Sequence, residues 1–87
     1  MITEFSKLVR IPASDILGRS RKDRINDARQ VYWLLLYENG FNYTEIARLN
    51  ERTHATVLSG ICRVKMLLQS RDKEITGIYE LVKYLKR

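Results

Sequence analysis

The 87-residue sequence has only one cysteine, one proline, four glycines and one histidine. A lone cysteine excludes an intramolecular disulfide, and no second thiol stands near Cys62 at the spacing of metal ligands. The longest apolar run, residues 31–37, covers seven residues, whereas a transmembrane helix requires roughly 20. These absences predict a chain from a reducing, cytoplasmic compartment, with no metal site and no membrane association.

Catalytic residue types are equally scarce. One histidine and one cysteine do not make a nucleophile with its base and orienting group, and no glycine-rich loop resembles a phosphate cradle. His54 and Cys62 lie on one predicted helix, but two ligands without carboxylates do not make a zinc site. We therefore expect no enzyme, no catalytic residue and no cofactor.

Positive charge, in contrast, is plentiful. Lys and Arg number 16 against 10 Asp and Glu, for a formal net charge of +6. A chain this short has room for one modest core, so residues 1–87 are expected to form a single domain. The positive excess on so small a domain favours a polyanionic partner, because clustered cations release counterions from phosphates.

Apolar residues recur at spacings of three and four, and no long segment alternates with period two. This pattern predicts an all-α fold, a compact bundle of about five to six helices. Pro12 is expected to close the first helix after Ile11, and Ser14 to cap a short second one that Gly18 ends. A long central helix is predicted over residues 23–37, a short one over 43–49 and a longer one over 54–69. Asp72 is expected to begin a terminal helix with Lys83, Lys86 and Arg87 at its C-terminal end.

Cap residues mark the later helix boundaries. Asn39-Gly40 is typical of a left-handed helix end, and Asn42 followed by Glu45 predicts a capping box. Thr53 and Asp72 are the expected caps of the last two helices. The short helix, tight turn and longer helix over about residues 43–69 have helix-turn-helix spacing, although an ordinary helical hairpin is the alternative.

A helix-turn-helix places the start of its second helix in the major groove of DNA. Ala55 and Ser59 are predicted to face away from the core, with Thr56 on the flank and His54 at the edge. Ala55 has the apolar group that suits a thymine methyl, and the others are able to bond base edges or phosphates. Glu51 stands in the turn where glycine is usual. We expect Arg63 and Lys65 to serve phosphates or solubility, and Tyr32, Trp33 and Tyr37 to serve packing.

Three segments carry a family resemblance: the basic run at residues 19–24, Ala28-Arg29-Gln30, and residues 52–57, Arg-Thr-His-Ala-Thr-Val. Together they resemble the C-terminal DNA-binding domain of the bacterial replication initiator DnaA, a Trp-repressor-like helical domain. The resemblance implies that Arg21 enters a minor groove and that Arg29 and Gln30 contact the DNA backbone and an adjacent base. The DNA-binding residues indicated by motif and resemblance are Arg19, Arg21, Lys22, Arg24, Arg29, Gln30, Arg52, Thr53, His54, Ala55, Thr56 and Ser59.

The chain also departs from the family pattern. Thr53 replaces the signature aspartate, Ala55 replaces the first threonine, and the segment from Glu45 to His54 is one residue shorter. The family's ATPase domain is not in this sequence, and the start of the chain favours a stand-alone relative over an excised piece.

The sequence thus predicts a bacterial double-stranded DNA-binding protein, a regulator or accessory replication factor associated with the nucleoid. Replacing Arg21 or Arg29 by alanine is expected to weaken duplex binding with little change in folding, and replacing His54 to alter sequence preference. The alternative is a helical adaptor whose basic loop docks a replication or transcription protein. RNA binding is a third hypothesis, disfavoured by the lack of evident stacking aromatics. Whether the protein is a monomer or a dimer stays open.

Overall fold

The computed structural model describes residues 1–86, and every regular element in that range is an α-helix. The helices are α1 (Ile2–Val9), α2 (Ala13–Leu17), α3 (Asp23–Glu38), α4 (Tyr43–Leu49), α5 (His54–Gln69) and α6 (Lys73–Val82). The predicted all-α bundle is confirmed. Among the described residues, no helix combines the length and the apolar character needed to cross a membrane.

Helix α3 is the centre of the fold and contacts each of the other five helices. Its residues 31–36 are all buried, because neighbouring helices cover it on several sides. A helix that is apolar around its circumference belongs in the middle of a bundle. The N-terminal half of α3 also buries two ionisable side chains, Asp27 and Arg29. The central position was predicted, although α5 has the same length of 16 residues.

Three helix starts follow the predicted cap signals. At α4, Asn42 Oδ1 accepts a hydrogen bond from the Glu45 amide at 2.8 Å, and Glu45 Oε1 accepts one from the Asn42 amide at 2.9 Å. Thr53 Oγ1 accepts a hydrogen bond from the Thr56 amide in the first turn of α5 at 3.2 Å, and Asp72 caps α6 through its carboxylate. The three predicted caps are confirmed. They could be predicted from the sequence because each capping side chain bonds a backbone amide within three residues of it.

The boundaries of α1 and α2 differ from the predicted ones. Helix α1 ends at Val9, because Arg10 takes the left-handed conformation with φ of 59°. The helix is therefore already closed before the chain reaches Pro12. Helix α2 begins at Ala13, directly after Pro12, and no side chain caps it, so the expected Ser14 cap is wrong. The ring of Pro12 holds φ at −55°, which sets the entry into this short helix without a side-chain cap.

The last helix is shorter than predicted. It ends at Val82, with Lys83 as the C-cap and Lys86 beyond it, so these lysines do not form a final helical turn. The predicted place of Arg87 lies outside the described residues. The apolar side of α6 packs on α1, α3 and α5 as a core-forming face should.

Helices α3 and α5 approach each other closely where Gly60 faces Trp33. A Cβ atom at position 60 would lie 2.8 Å from Trp33 Cε3 and Cζ3. Real Cβ atoms do not come this near to a ring that is itself only 3% exposed. The absence of a side chain at Gly60 thus brings the first half of α5 against α3, next to the basic loop.

Candidate nucleic-acid interface

A basic cleft of about 830 Å³ opens between the loop after α2, the first half of α3 and the start of α5. It brings together residues that are far apart in the sequence. Its lining contains four arginines and one carboxylate: Arg19, Arg21, Asn26, Arg29, Gln30, Trp33, Glu51, Arg52, Thr53 and Thr56. Seven of these ten residues belong to the predicted DNA-binding set. The cleft is therefore the natural centre of the candidate site.

Arg29 holds the loop after α2 in place from within the protein. Its side chain is buried, and Nε, Nη1 and Nη2 donate to the carbonyls of Ile16, Ser20 and Asp15 at 2.8, 2.8 and 2.9 Å. The predicted substitution of Arg29 with little effect on folding is wrong, because three carbonyls would lose a charged donor. Arg29 thus shapes the cleft through bonds to backbone carbonyls.

Arg24 is likewise engaged within the fold. Its Nη2 donates to the Val9 carbonyl at 3.2 Å, which lies at the end of α1. Carbonyls at a helix end lack intrahelical donors, and a cation there also suits the helix dipole. Of the cations in the basic run, Arg24 thus points back towards α1 and is not among the residues that line the cleft.

Arg19 and Arg52 join the basic loop to the turn before α5. Arg19 Nη2 donates to the Glu51 carbonyl at 3.2 Å, and Arg52 Nη2 donates to the Gly18 carbonyl. Arg52 Nη1 also bonds the Asn50 carbonyl at 2.8 Å. The Arg19 bond runs from the loop to the turn, and the Arg52 bond to Gly18 runs from the turn back to the loop. They make the loop and the helix-turn-helix segment one continuous surface.

The arginines of the cleft repel one another. Burial and the nearby charges of Arg52 and Arg19 lower the pKa of Arg29, although the Asp15 carboxylate acts in the opposite direction. Burial first, and then the Arg19 charge, lower the pKa of Arg52. An anion placed among these guanidinium groups would relieve the repulsion. The electrostatics therefore suit a phosphate group.

Arg21 and Lys22 are exposed and lie at the outer edge of the basic loop. Within the described residues, the Arg21 guanidinium makes no hydrogen bond or ion pair, in contrast to Arg19, Arg24 and Arg29. Arg21 lines the cleft, and its side chain is able to extend from it. This is the geometry expected of a residue that reaches into a neighbouring groove.

A shallower groove of about 400 Å³ continues from the cleft along the exposed side of α5. It is lined by Gln30, Ala55, Thr56, Ser59, Gly60 and Arg63. Gln30 and Thr56 line both concavities, so the predicted backbone contacts and the predicted base contacts adjoin. The Thr53 and Thr56 hydroxyls lie 2.8 Å apart and bond each other. The structure thus brings three of the predicted base-contacting residues of α5, Ala55, Thr56 and Ser59, onto one side, and His54 does not line this groove.

The sequence missed a polar network between α3 and α5. Arg63 Nη1 lies 2.9 Å from Asp27 Oδ1 and 2.7 Å from Gln30 Oε1. Asp27 is largely buried, so the ion pair is more than a surface contact. Arg63 was expected to serve phosphates or solubility; this ion pair was not foreseen, and the phosphate role stays a prediction. The helical spacing of Asp27 and Gln30 on one face of α3 was the available signal.

The other side of α5 carries a row of aromatic rings that sequence reasoning also missed. Tyr37 and Tyr43 stack with centroids 4.8 Å apart and an interplanar angle of 6°, and His54 lies 5.7 Å from Tyr43. Lys65 Nζ lies 4.9 Å from the centre of the Tyr37 ring. Tyr37 was assigned to packing, but it is 37% exposed and belongs to this surface row. Tyr32 and Trp33 are buried as predicted.

Cys62 is exposed and free, and no group of three His, Cys, Asp or Glu side chains within residues 1–86 is placed to hold a metal ion. What the arrangement offers is a set of hydrogen-bond donors in a basic concavity beside an exposed helix start.

The chain matches the model of a known protein family. The model of the family described as the bacterial dnaA protein helix-turn-helix matches residues 2–64, which include the basic loop, α3, α4 and the first part of α5. The match thus covers every residue of the cleft and groove. No solved structure matches the chain.

Proposed function

Because the chain belongs to the bacterial DnaA helix-turn-helix family of DNA-binding domains, we propose that it binds duplex DNA with α5 in the major groove. Residues 1–87 act as one DNA-binding domain in this proposal, with the helix-turn-helix at about 43–69. The N-terminal turns of α5 face base edges, and the basic loop lies on the adjoining backbone. The groove residues Ala55, Thr56 and Ser59 then read bases, together with His54 at the edge.

One observation carries this proposal: the basic loop and the turn before α5 are bonded to each other. Arg19 donates to the Glu51 carbonyl at 3.2 Å and Arg52 donates back to the Gly18 carbonyl. A loop bound in this way is presented at a fixed position relative to α5. Phosphate contacts on the loop are thereby in register with base contacts on the helix, as sequence-selective binding requires.

The basic residues divide into two roles. In this proposal Arg19, Lys22 and Arg52 contact phosphates, with Gln30 beside them, while Arg21 reaches into the adjacent minor groove. Arg24 and Arg29 hold the loop from behind through their carbonyl bonds. Thr53 combines its cap bond with a position at the helix N-terminus, where a phosphate is favoured by the helix dipole.

The biological role that fits this binding mode is that of a regulator or accessory replication factor. Occupying DNA next to a promoter or an origin needs no catalytic group. We propose a cytoplasmic location, at the nucleoid when bound to DNA, and a replication or transcription protein as a further partner.

The test is a fluorescence anisotropy titration with a labelled random duplex and an initiator-box duplex at several salt concentrations. The wild-type chain should bind saturably, with log affinity falling by about 0.9 per log unit of salt for each phosphate contact. Replacing Arg19 by glutamine should weaken binding to both duplexes and reduce that slope by about 1. Arg21→Ala should weaken binding without unfolding the protein.

Lys73→Gln is the matched control. Lys73 begins α6, beyond the far end of the 16-residue α5, which is about 24 Å long. The control removes the same charge but should leave the salt slope within error of the wild type. Absence of duplex binding at low salt, or equal losses for Lys73→Gln and Arg19→Gln, would refute the proposed interface.

A helical adaptor remains the second candidate, because apolar side chains border the basic loop. Leu17 is 42% exposed and Leu49 is 61% exposed, and both line a small hollow together with Arg19. An acidic protein segment with apolar residues would suit this mixture of charge and apolar surface. If no duplex binds, Leu49→Ser should abolish capture of a replication or transcription protein under this second function.

A further inference from the structure

The exposed histidine at the start of α5 is held by an aromatic row that three helices build together. Tyr37 lies in the last turn of α3, Tyr43 is the first residue of α4, and His54 is the first residue of α5. Lys65, eleven residues after His54 on α5, covers the Tyr37 ring at the other end. The row therefore runs alongside α5 and begins and ends on that helix.

Tyr43 is the contact that restrains the imidazole. The two ring centroids lie 5.7 Å apart with a tilt of 41°, within the range of favourable aromatic pairs. Within the described residues, no hydrogen bond to the imidazole is present, and His54 is exposed. Without Tyr43 the imidazole would rotate among its staggered conformers. The ring of Tyr43 thus selects one orientation of the histidine.

Tyr43 is itself fixed on two sides. The capping box of Asn42 and Glu45 sets the backbone at the start of α4, and Tyr37 stacks on the Tyr43 ring at 4.8 Å with the planes nearly parallel. The neighbouring Tyr37 hydroxyl is the largest cause of the raised pKa of Tyr43. Rigid support behind a binding residue is what holds it within the narrow geometry that recognition needs.

We propose that Tyr43 is a specificity-determining positioning residue, which orients His54 towards base edges through the stack with Tyr37. This inference rests on the proposed DNA binding and deepens it. Phosphate contacts carry no sequence information, whereas base contacts do. Loosening His54 should therefore reduce discrimination between sequences and leave general affinity for duplex DNA largely unchanged. Ordering a rotating side chain during binding also lowers affinity, and the stack avoids that loss.

The single histidine of the chain provides a direct test. One imidazole gives one pair of carbon-bound proton signals in an NMR spectrum of the free protein. In the wild type, ring currents from Tyr43 should shift these signals away from their positions in an unstructured peptide. Tyr43→Leu should return them towards those positions, while Tyr43→Phe, which keeps the ring, should retain the shift.

The second measurement is sequence preference. A duplex selected by the wild-type protein from a randomised pool is titrated against the random pool itself. For Tyr43→Leu, the ratio of the two affinities should fall by about three- to tenfold, which is the range of one weakened base contact. Affinity for the random pool should change less than about twofold, and Tyr43→Phe should preserve the wild-type ratio. Tyr37→Leu should lower the ratio by a smaller factor.

Tyr84→Leu is the matched control, because Tyr84 is 76% exposed and lies after α6, outside the row. The inference is overturned if the His54 signals of Tyr43→Leu stay at their wild-type positions, or if the affinity ratio is retained. It is also overturned if the wild-type protein selects no sequence from the pool. Failure of the wild type to bind any duplex is a separate result, because it refutes the proposed function as well.

Discussion

The two turns that flank α4 end the preceding helices in the same way but with different residues. In each turn, the amide two positions after the C-cap donates to a carbonyl five residues back, at 3.1 Å after α3 and 2.9 Å after α4. Each also requires a left-handed residue, which is Gly40 with φ of 101° in the first turn and Glu51 with φ of 53° in the second. The first follows the common rule for helix ends, and the second departs from it.

The partners of the two turns differ as well. Beside the first turn, Tyr79 Oη lies 2.9 Å from both carboxylate oxygens of Glu38, and Asn39 Nδ2 donates to the Leu85 carbonyl at 3.3 Å. The second turn is bonded to the basic loop by Arg19 and Arg52. The first turn therefore connects parts of the scaffold, whereas the second connects the scaffold to the binding surface. A strained residue is found at the second one only.

The largest expected effect comes from removing the support behind the basic loop, to which the second turn is bonded. Arg29→Leu should lower the free energy of unfolding by about 2 kcal/mol, because three carbonyls lose a charged donor. Duplex affinity should fall with it, since the loop no longer stands in register with α5. Chemical denaturation and anisotropy measure the two effects. Arg48→Leu, at an exposed arginine of α4, is the control, and an equal loss of stability there would contradict the role assigned to Arg29.

Gly40→Ala should have the second-largest effect. A Cβ in a left-handed conformation costs about 1–2 kcal/mol, so the midpoint of thermal unfolding should fall. Duplex affinity measured well below that midpoint should be unchanged, because the first turn does not border the cleft. A variant that keeps wild-type stability would show that the first turn relaxes around the added methyl group.

Glu51→Gly should act in the opposite direction. Removing the Cβ from a left-handed residue should stabilise the fold by about 0.5–1 kcal/mol, the gain being limited by the greater freedom of glycine in the unfolded chain. Duplex affinity at low salt should also rise, because Glu51 is the carboxylate of the cleft.

Arg71→Gly separates these two effects. Arg71 is also left-handed, with φ of 62°, but it follows α5 and does not line the cleft. Arg71→Gly should give a gain in stability similar to that of Glu51→Gly, with no gain in duplex affinity. If both variants bind DNA equally well, the Glu51 carboxylate has no part in the electrostatics of the site.

The smallest effect concerns Tyr79 and the pH dependence of the first turn. Burial, followed by the hydrogen bond to Glu38, raises the pKa of Tyr79 to about 12. The folded state thus keeps a proton that the unfolded state releases near pH 10. Stability is fully present below pH 10 and is lost as the pH rises towards 12. Tyr79→Phe should lose less than about 1 kcal/mol at neutral pH.

Denaturation curves at pH 9 and pH 11 distinguish this mechanism from general alkaline unfolding. The decline of stability between these values should be smaller in Tyr79→Phe than in the wild type. A decline of equal size in both proteins would mean that other groups dominate the alkaline range. Duplex binding at neutral pH should not change, because residues of this turn do not line the cleft.

Much of the fold was predictable because its signals are local. The starts of α4 and α5 follow from Asn42, Glu45 and Thr53, each of which bonds a backbone group within three residues. The end of α1 was predicted wrongly, because a left-handed arginine at position 10 carries no sequence signal comparable to glycine. Pro12 was a visible signal but marks the start of the next helix.

The candidate site was predictable only in outline. The basic run and the start of α5 were recognised, and the structure places most of these residues around one cleft. The roles of individual cations were not predictable. Arg29 donates hydrogen bonds to backbone carbonyls of residues 15–20, and Arg63 on α5 forms an ion pair with Asp27 on α3. Such partners depend on how the chain closes on itself, and an arginine in a phosphate site and one in a structural site look alike in sequence.

The bonds of Arg19 and Arg52 to backbone carbonyls have a consequence for how the cleft would receive DNA. Each of these carbonyl oxygens accepts a hydrogen bond from a guanidinium group that could otherwise donate to a phosphate oxygen. Binding of a phosphate there therefore replaces one acceptor by another. An exchange changes the number of hydrogen bonds little, and the net gain comes mainly from ions released into the solvent. Calorimetry should therefore find association at this cleft to be driven by entropy, with a small heat.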